Sequence, residues 1–200
     1  MMQHSKTRRL TMITLMATIS FLFMYFSFSV PILSPFAEFD LSPIPEIIGG
    51  FILGPLGAIE IIGLKLLLKL VFQGSQSMLV GEIQNFFLSV AYVIPAVLYY
   101  YKHRTKKGAV IGLVLGSVIS VVVAVFTNVY MIFPAYMKLY GMNWEGIVEI
   151  CSAVNPWIRD VPTMVAFSVI PFNVVSRAVV SIITVVIYKK VSVPIKKLVY

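Results

Sequence analysis

Long apolar runs alternate with short polar segments along this chain, and the alternation predicts membrane-spanning helices. A helix needs about 20 mostly apolar residues to cross a bilayer. One run of about 11 residues is too short to cross by itself, and the glycines and proline of GGFILGPLGA mark a tight turn or a break. We count it as a tilted or shortened helix because an even number of spans puts both basic termini on one side. The predicted spans cover residues 10–30, 44–54, 56–72, 82–101, 108–136 and 161–188.

Charge and composition sharpen this picture. The chain is 59% hydrophobic, above the roughly 45–50% that is typical of soluble domains, and its net charge is +8. Most basic residues lie in three places: the amino-terminal flank, the loop KHRTKK and the carboxyl-terminal tail. Such clustering follows the positive-inside rule and needs no nucleic-acid partner. We therefore expect one all-α, polytopic membrane domain of residues 1–200, with six transmembrane helices and cytoplasmic N- and C-termini.

The loops between the spans complete the topology. The proline-rich segment PILSPFAEFDLSPIP carries acidic residues and is predicted to be an outer loop, as are QGSQSMLVG and the tryptophan-containing segment before the last span.

The sequence offers little for catalysis. It contains no Ser-His-Asp, HExxH or CxxC grouping and no GxxxxGK[ST] phosphate loop, and both histidines lie in basic flanks. Cys151 is the only cysteine, which excludes an intrachain disulfide. We predict that the protein is not an enzyme and holds no metal or cofactor.

Polar side chains inside the predicted spans are the candidates for substrate binding, because polar groups at membrane depth are costly and usually functional. Asn173 and Arg177 are four residues apart and share a helix face. Asparagine amides both donate and accept hydrogen bonds, although in membranes they also join helices to each other. Asparagines on three spans near the same leaflet favour a shared cavity. The predicted substrate-binding residues are Asn173, Arg177, Asn128, Glu82, Asn85, Tyr130 and Lys65.

Lys65 and Lys69 lie on one helix face, and Glu60 lies about 140° away around the same helix. We therefore expect Glu60 to face a different helix. For Lys65 the sequence leaves two roles open, a structural ion pair and a ligand contact.

Four segments occur in this order along the chain: FDLSPIPEIIGGFILGPLGA, LVFQGSQSMLVGEIQNFFLSVAYVIPA, TNVYMIFPAY and VIPFNVVSR. Together they resemble the substrate-binding S-components of energy-coupling factor (ECF) vitamin transporters, in the riboflavin branch and its pantothenate and pyrimidine or pyridine relatives. The resemblance implies six helices, an outer site for a water-soluble vitamin that is roofed by the first and third outer loops, and a bacterial plasma-membrane location. It also implies three partners, a membrane coupling protein and two cytoplasmic ATPase subunits. Docking of the coupling protein would use small residues of the first helix, here Thr14, Ala17, Thr18 and Ser20.

The substrate is where the chain departs from the riboflavin pattern. Riboflavin carriers typically show PFNxxKG, whereas this chain has Ser176 and Arg177 at the last two positions. An arginine suits a carboxylate, which slightly favours pantothenate. Aromatic residues such as Trp144, Tyr130 and Phe172 equally suit pyridoxine or hydroxymethylpyrimidine, and riboflavin remains an alternative.

Two readings outside the family also stay open. One is a stand-alone secondary transporter driven by ions, for which Glu60 and Glu82 are the only candidate titrating carboxylates. The other is a membrane scaffold that carries no solute.

Overall fold

The computed structural model describes residues 2–75 and 77–199, with side chains for residues 6–75 and 77–188, so the lysines of the carboxyl-terminal tail lie outside the described side chains. This part of the chain is mainly helical, with one short β-hairpin. The elements are α1 Met2–Tyr25, β1 Phe28–Val30, β2 Ser34–Phe39, α2 Pro43–Gln73, α3 Val80–Lys102, α4 Lys106–Thr127, α5 Phe133–Tyr140, α6 Trp144–Val154, α7 Val161–Met164 and α8 Ile170–Val199.

Two π-helical turns join helices end to end. Asn128–Ile132 connects α4 to α5, and Val165–Val169 connects α7 to α8. Four helical segments of the described chain are long and apolar enough to cross a membrane: Pro43–Gln73, Val80–Lys102, Lys106–Tyr140 and Val161–Tyr188. The count of six crossings and the side on which the termini lie stay predictions.

Helix α2 is broken where the sequence predicts a break. Gly54 has a φ of 90°, a conformation that glycine adopts without steric cost, and Pro55 follows with no N–H to donate. The break divides α2 into two arms, which correspond to the predicted second and third spans.

The proline-rich segment after α1 is not an irregular loop. It forms the antiparallel hairpin β1–β2, in which Phe28 pairs with Phe39 and their rings stack at 5.3 Å between centroids. Pro35 is tolerated in β2 because an edge strand has unpaired backbone positions. The helix that was expected to reach residue 30 therefore ends at Tyr25.

The segment before the last span also contains a helix that the apolar pattern did not predict. In α6, the Asn143 side chain caps the amino terminus by accepting a hydrogen bond from the Gly146 N–H at 2.9 Å. Ile147 and Cys151 on one face are buried in a second hydrophobic core with residues of α5 and α7. This burial raises the pKa of the Cys151 thiol to about 11, so it packs as a small apolar group at neutral pH.

The main core lies among α1, α2, α3, α4 and α8. Helix α4 approaches α3 closely because small residues recur at every fourth position: Gly108, Gly112, Gly116, Ser120 and Ala124. A Cβ at Gly116 would lie 2.1 Å from the carbonyl oxygen of Tyr92. This tight seam fixes the position of α3, whose first turns contribute to the cavity described next.

Candidate substrate-binding site

A cavity of about 420 Å³ opens at one end of the bundle, where α1 ends, α2 begins and ends, and α3 begins. Its size falls in the range of about 300–1,000 Å³ that is usual for small-molecule sites. Strand β2 forms one wall, and the π-helical turn after α4 and the first turns of α8 form another. Its main polar lining residues are Glu38, Asp40, Lys69, Asn85, Asn128, Asn173 and Arg177.

The structure brings four of the seven predicted substrate-binding residues to this cavity: Asn85, Asn128, Asn173 and Arg177. The asparagines of three different spans do converge on one space. The other three predicted residues, Lys65, Glu82 and Tyr130, are not among the lining residues. Whether any of the seven contacts a substrate stays a prediction.

Lys65 lies behind the cavity wall and is fully buried. Its Nζ is 2.5 Å from Glu46 Oε1, and it donates hydrogen bonds to Asn85 Oδ1 at 2.8 Å and Ser42 Oγ at 3.1 Å. Of the two roles left open for Lys65, the ion pair is thus observed, and a direct ligand contact has no support from its position.

Glu82 and Glu60 are both paired with cations. Glu82 accepts hydrogen bonds from Lys69 and, at 2.9 Å, from the Ser75 hydroxyl, so it holds the Lys69 side chain at the cavity edge. Glu60 contacts Arg9 of α1, with 2.7 Å between Oε2 and Nη2, which confirms that it faces another helix. Neither carboxylate is therefore available without first breaking an ion pair.

Tyr130 points away from the cavity. Its side chain is 75% exposed, and its ring stacks on Phe126 with 6.2 Å between centroids. Two residues correspond to about half a turn in either an α-helix or a π-helical turn, so Tyr130 lies opposite Asn128. Tyr136, farther along, lines the cavity instead.

Internal hydrogen bonds orient two of the lining amides. Asn128 Nδ2 donates to the Ala124 carbonyl oxygen at 2.7 Å, and Asn173 Nδ2 donates to the Val169 carbonyl oxygen at 2.8 Å. A carbonyl oxygen can only accept, so it selects the amide nitrogen in each case. Both side chains therefore keep Oδ1 as the atom available for a ligand donor.

Arg177 is a buried cation with an aromatic neighbour. It is 7% exposed, and its guanidinium carbon lies 5.0 Å from the ring centroid of Tyr92. Among the described residues, its Nε has no hydrogen-bond partner and no carboxylate lies within ion-pair distance. Its donors are therefore free to bind a polar group of a ligand.

The residues that line the cavity include equal numbers of carboxylates and cations. Glu38 and Asp40 are the carboxylates, and Lys69, which is paired with Glu82, and Arg177 are the cations. A neutral ligand preserves this balance, whereas an anion adds a charge beside two existing carboxylates at a partly desolvated position.

The family resemblance placed the first outer loop over the site, but the sequence interpretation did not name its lining residues. Phe36 and Glu38 of β2 and Asp40 directly after it line the cavity, and Asp40 is held by hydrogen bonds from the Ser42 N–H and hydroxyl, both at 2.6 Å. The acidic character of this segment was a usable signal. The resemblance placed this loop above the site, but it did not single out these side chains.

The predicted docking residues of α1 do not share one surface. Thr14 and Thr18 are exposed, but Ala17 and Ser20 are fully buried, and the Ser20 hydroxyl donates to the Ser42 carbonyl oxygen at 2.8 Å. Ser20 lies about 160° around the helix from Thr18, so the two cannot face the same partner. The accessible part of the predicted docking face is thus Thr14 and Thr18, and its role stays a prediction.

Known proteins resemble this chain over almost its whole length. Residues 8–188 match the family model described as ECF transporter, substrate-specific component. The chain is 26% identical to the riboflavin transporter RibU of Staphylococcus aureus (strain TCH60), covering 94% of this chain and 92% of the relative. It is also 26% identical to the riboflavin transporter FmnP of Bacillus subtilis (strain 168), covering 92% of each. A solved structure titled "Structure and mechanism of the S component of a bacterial ECF transporter" matches with a TM-score of 0.72 and 26% identity over 94% of this chain and 96% of that one.

Proposed function

Since this chain belongs to the family of ECF transporter substrate-specific components, we propose that it is the riboflavin-binding subunit of such a transporter. Members of this family are multi-pass membrane proteins and not enzymes. The observation that carries the proposal is the alignment of almost the whole chain with proteins named as riboflavin transporters. These relatives give no support to pantothenate, which the arginine at position 177 had slightly favoured.

The cavity chemistry supports a flavin. An isoalloxazine ring is flat and largely apolar, with one edge of alternating carbonyl and N–H groups. Phe36 and Tyr136 supply flat apolar contact, and Asn85, Asn128 and Asn173 supply amide donors and acceptors.

The balanced charge of the lining also favours riboflavin over pantothenate. Riboflavin is uncharged at neutral pH, whereas pantothenate carries a carboxylate. Glu38 and Asp40 would oppose that carboxylate, even though Arg177 could pair with it.

In the proposed transport cycle, the chain captures its substrate in the cavity below the β1–β2 hairpin, on the outer face of the membrane. A membrane coupling protein and two cytoplasmic ATPase subunits then drive reorientation and release. The exposed Thr14 and Thr18 face of α1 is the proposed contact with the coupling protein. This arrangement corresponds to six crossings with both termini in the cytoplasm.

The test is a ligand-binding measurement on the purified, detergent-solubilised chain. We expect mass spectrometry of the extracted protein to detect co-purified riboflavin, and titration of the ligand-free protein to quench flavin fluorescence at a one-to-one ratio. Pantothenate, pyridoxine and hydroxymethylpyrimidine in hundredfold excess should not displace the flavin. Displacement by any of them, or no quenching, contradicts the proposal.

Transport measurements separate this function from an ion-driven carrier. Vesicles that contain the chain alone should bind riboflavin without accumulating it, and accumulation should require the coupling protein, the ATPase subunits and ATP. Accumulation by the chain alone under a proton or sodium gradient would establish the secondary transporter instead.

A further inference from the structure

We propose that Lys65 is a positioning residue, which fixes the direction of the Asn85 amide and so determines that this wall of the site donates a hydrogen bond to the substrate. The inference rests on the proposed riboflavin-binding function. Lys65 is not among the residues that line the cavity, yet its ammonium group donates a hydrogen bond to Asn85, which does line it.

The direction of the Asn85 amide follows from the chemistry of its partner. Lys65 Nζ lies 2.8 Å from Asn85 Oδ1, and an ammonium group can only donate. The amide oxygen must therefore turn toward Lys65, away from the cavity. Its Nδ2 is left as the atom for a ligand, because the described part of the chain provides no other hydrogen bond to the Asn85 side chain.

Lys65 is itself held from several sides. Glu46 Oε1 lies 2.5 Å away, and Ser42 and Ser89 accept further hydrogen bonds at 3.1 and 3.4 Å. Lys65 and Glu46 are both completely buried, so separating them would leave two charges uncompensated. The ammonium group therefore holds the amide oxygen of Asn85 in one position.

The cavity wall opposite Asn85 presents hydrogen-bond acceptors instead of a donor. Asn128 and Asn173 present Oδ1 to the cavity because their amide nitrogens are bonded to backbone carbonyls. The site thus offers an amide donor from α3 and two amide acceptors, one from the π-helical turn after α4 and one from α8. A flavin ring can match this arrangement, since it carries acceptor nitrogens and carbonyl oxygens as well as the N3–H donor.

The central test variant is Asn85→Asp. Aspartate has the shape of asparagine and keeps an oxygen for Lys65, but as a carboxylate it offers the cavity only an acceptor. We expect riboflavin to bind about tenfold more weakly, as for the loss of one hydrogen bond, with the folded protein retained. Affinity equal to that of the unmodified protein would overturn the proposal.

A double-mutant cycle tests whether Lys65 acts through Asn85. Its members are the unmodified protein, Asn85→Asp, the paired change Glu46→Leu with Lys65→Met, and the triple variant, each titrated with riboflavin. The paired change removes the ammonium group that orients the Asn85 amide, and it leaves neither Lys65 nor Glu46 as an unpaired buried charge. We expect the triple variant to bind no more weakly than the weaker of the other two, because both changes remove the same oriented donor. If the affinity loss of the triple variant equals the product of the losses caused by the two separate changes, Lys65 has only a structural role.

Two controls make each outcome decisive. The same ion-pair exchange at the exposed pair, Arg9→Met with Glu60→Leu, should leave the riboflavin affinity unchanged. If the buried-pair variant does not fold, Asn85→Asp is compared with Asn85→Leu, and the proposal requires that the aspartate variant bind no better than the leucine variant. Failure of the unmodified protein to bind riboflavin would refute the proposed function and this inference with it, whereas normal binding with multiplied losses would refute this inference alone.

Discussion

Two buried cations of this protein, Lys65 and Arg177, differ in one respect that separates their roles. Lys65 is fully buried and carries a carboxylate partner, Glu46, at 2.5 Å. Arg177 is almost as buried at 7% exposure, but it has only the face of the Tyr92 ring beside it and no carboxylate partner among the described residues. Burial alone therefore does not tell whether a charge at membrane depth is structural or functional.

A carboxylate partner determines which property of the protein changes when a buried cation is removed. A buried ion pair compensates most of the cost of removing two charges from water, and its loss is felt mainly in stability. A buried guanidinium without a carboxylate partner can bind a polar group of a ligand, so we expect its loss to affect mainly ligand binding. The following predictions test this contrast.

The largest expected effect is on folding. Lys65→Met leaves Glu46 buried without its cation and should lower the free energy of unfolding by about 3–5 kcal/mol. Thermal unfolding in detergent micelles measures the loss. Adding Glu46→Leu should recover most of it, and a single variant as stable as the unmodified protein would show that the pair contributes nothing.

Arg177→Met should show the opposite pattern. Because no ion pair is broken, we expect the free energy of unfolding to change by less than about 1 kcal/mol. Riboflavin affinity should fall by about 10- to 100-fold, as for a hydrogen bond to a charged group. Fluorescence titration measures the affinity, and Arg177→Lys serves as the variant that keeps the charge but not the planar fork. Intact binding combined with a collapse in stability would reverse the assignment.

A smaller effect is expected from the aromatic neighbour. Tyr92→Leu removes the ring from Arg177, and a double-mutant cycle on riboflavin binding with Arg177→Met should give a coupling of about 0.5–2 kcal/mol. Tyr92→Phe is the matched control, because it keeps the ring and removes only the hydroxyl that lies 2.7 Å from Ser181 Oγ. Equal coupling for Leu and Phe would attribute the effect to the hydroxyl.

The smallest effect is expected at the exposed pair. Arg9 and Glu60 have side chains that are 45% and 44% exposed, so Arg9→Met should change the free energy of unfolding by less than about 1 kcal/mol. Riboflavin affinity should not change. A loss as large as that of Lys65→Met would mean that burial does not distinguish the two pairs.

Helical angle accounts for two predicted residues that lie elsewhere. Tyr130 is two positions from Asn128, and Ser20 is two positions from Thr18, so both lie on the far side of their helices from these neighbours. Their residue types fitted the expected roles, but their positions did not. A stricter use of periodicity would have shown from the sequence alone that the two members of each pair cannot share one face.

The sequence predicted the polar faces of α2 and α3 but not the contacts between them. Periodicity correctly placed Lys65 and Lys69 on one face of α2, and the spacing of Glu82, Asn85 and Ser89 at i, i+3 and i+7 puts them on one face of α3. In the structure these two faces meet, because Lys65 donates a hydrogen bond to Asn85 and Lys69 donates one to Glu82. Periodicity gives the direction of a side chain around its own helix, but not which residue of a neighbouring helix lies opposite.

By itself, the sequence determined the apolar segments, the break at Gly54, the faces that carry polar side chains and the family resemblance, because each depends on local composition or spacing. The tertiary structure decided that Lys65 is paired, that Arg177 has no carboxylate partner among the described residues, and that strand β2 joins the asparagines around one cavity. These facts depend on contacts between elements far apart in the chain. The free energy of a buried charge is set by such contacts, so its role is decided only when the helices are packed.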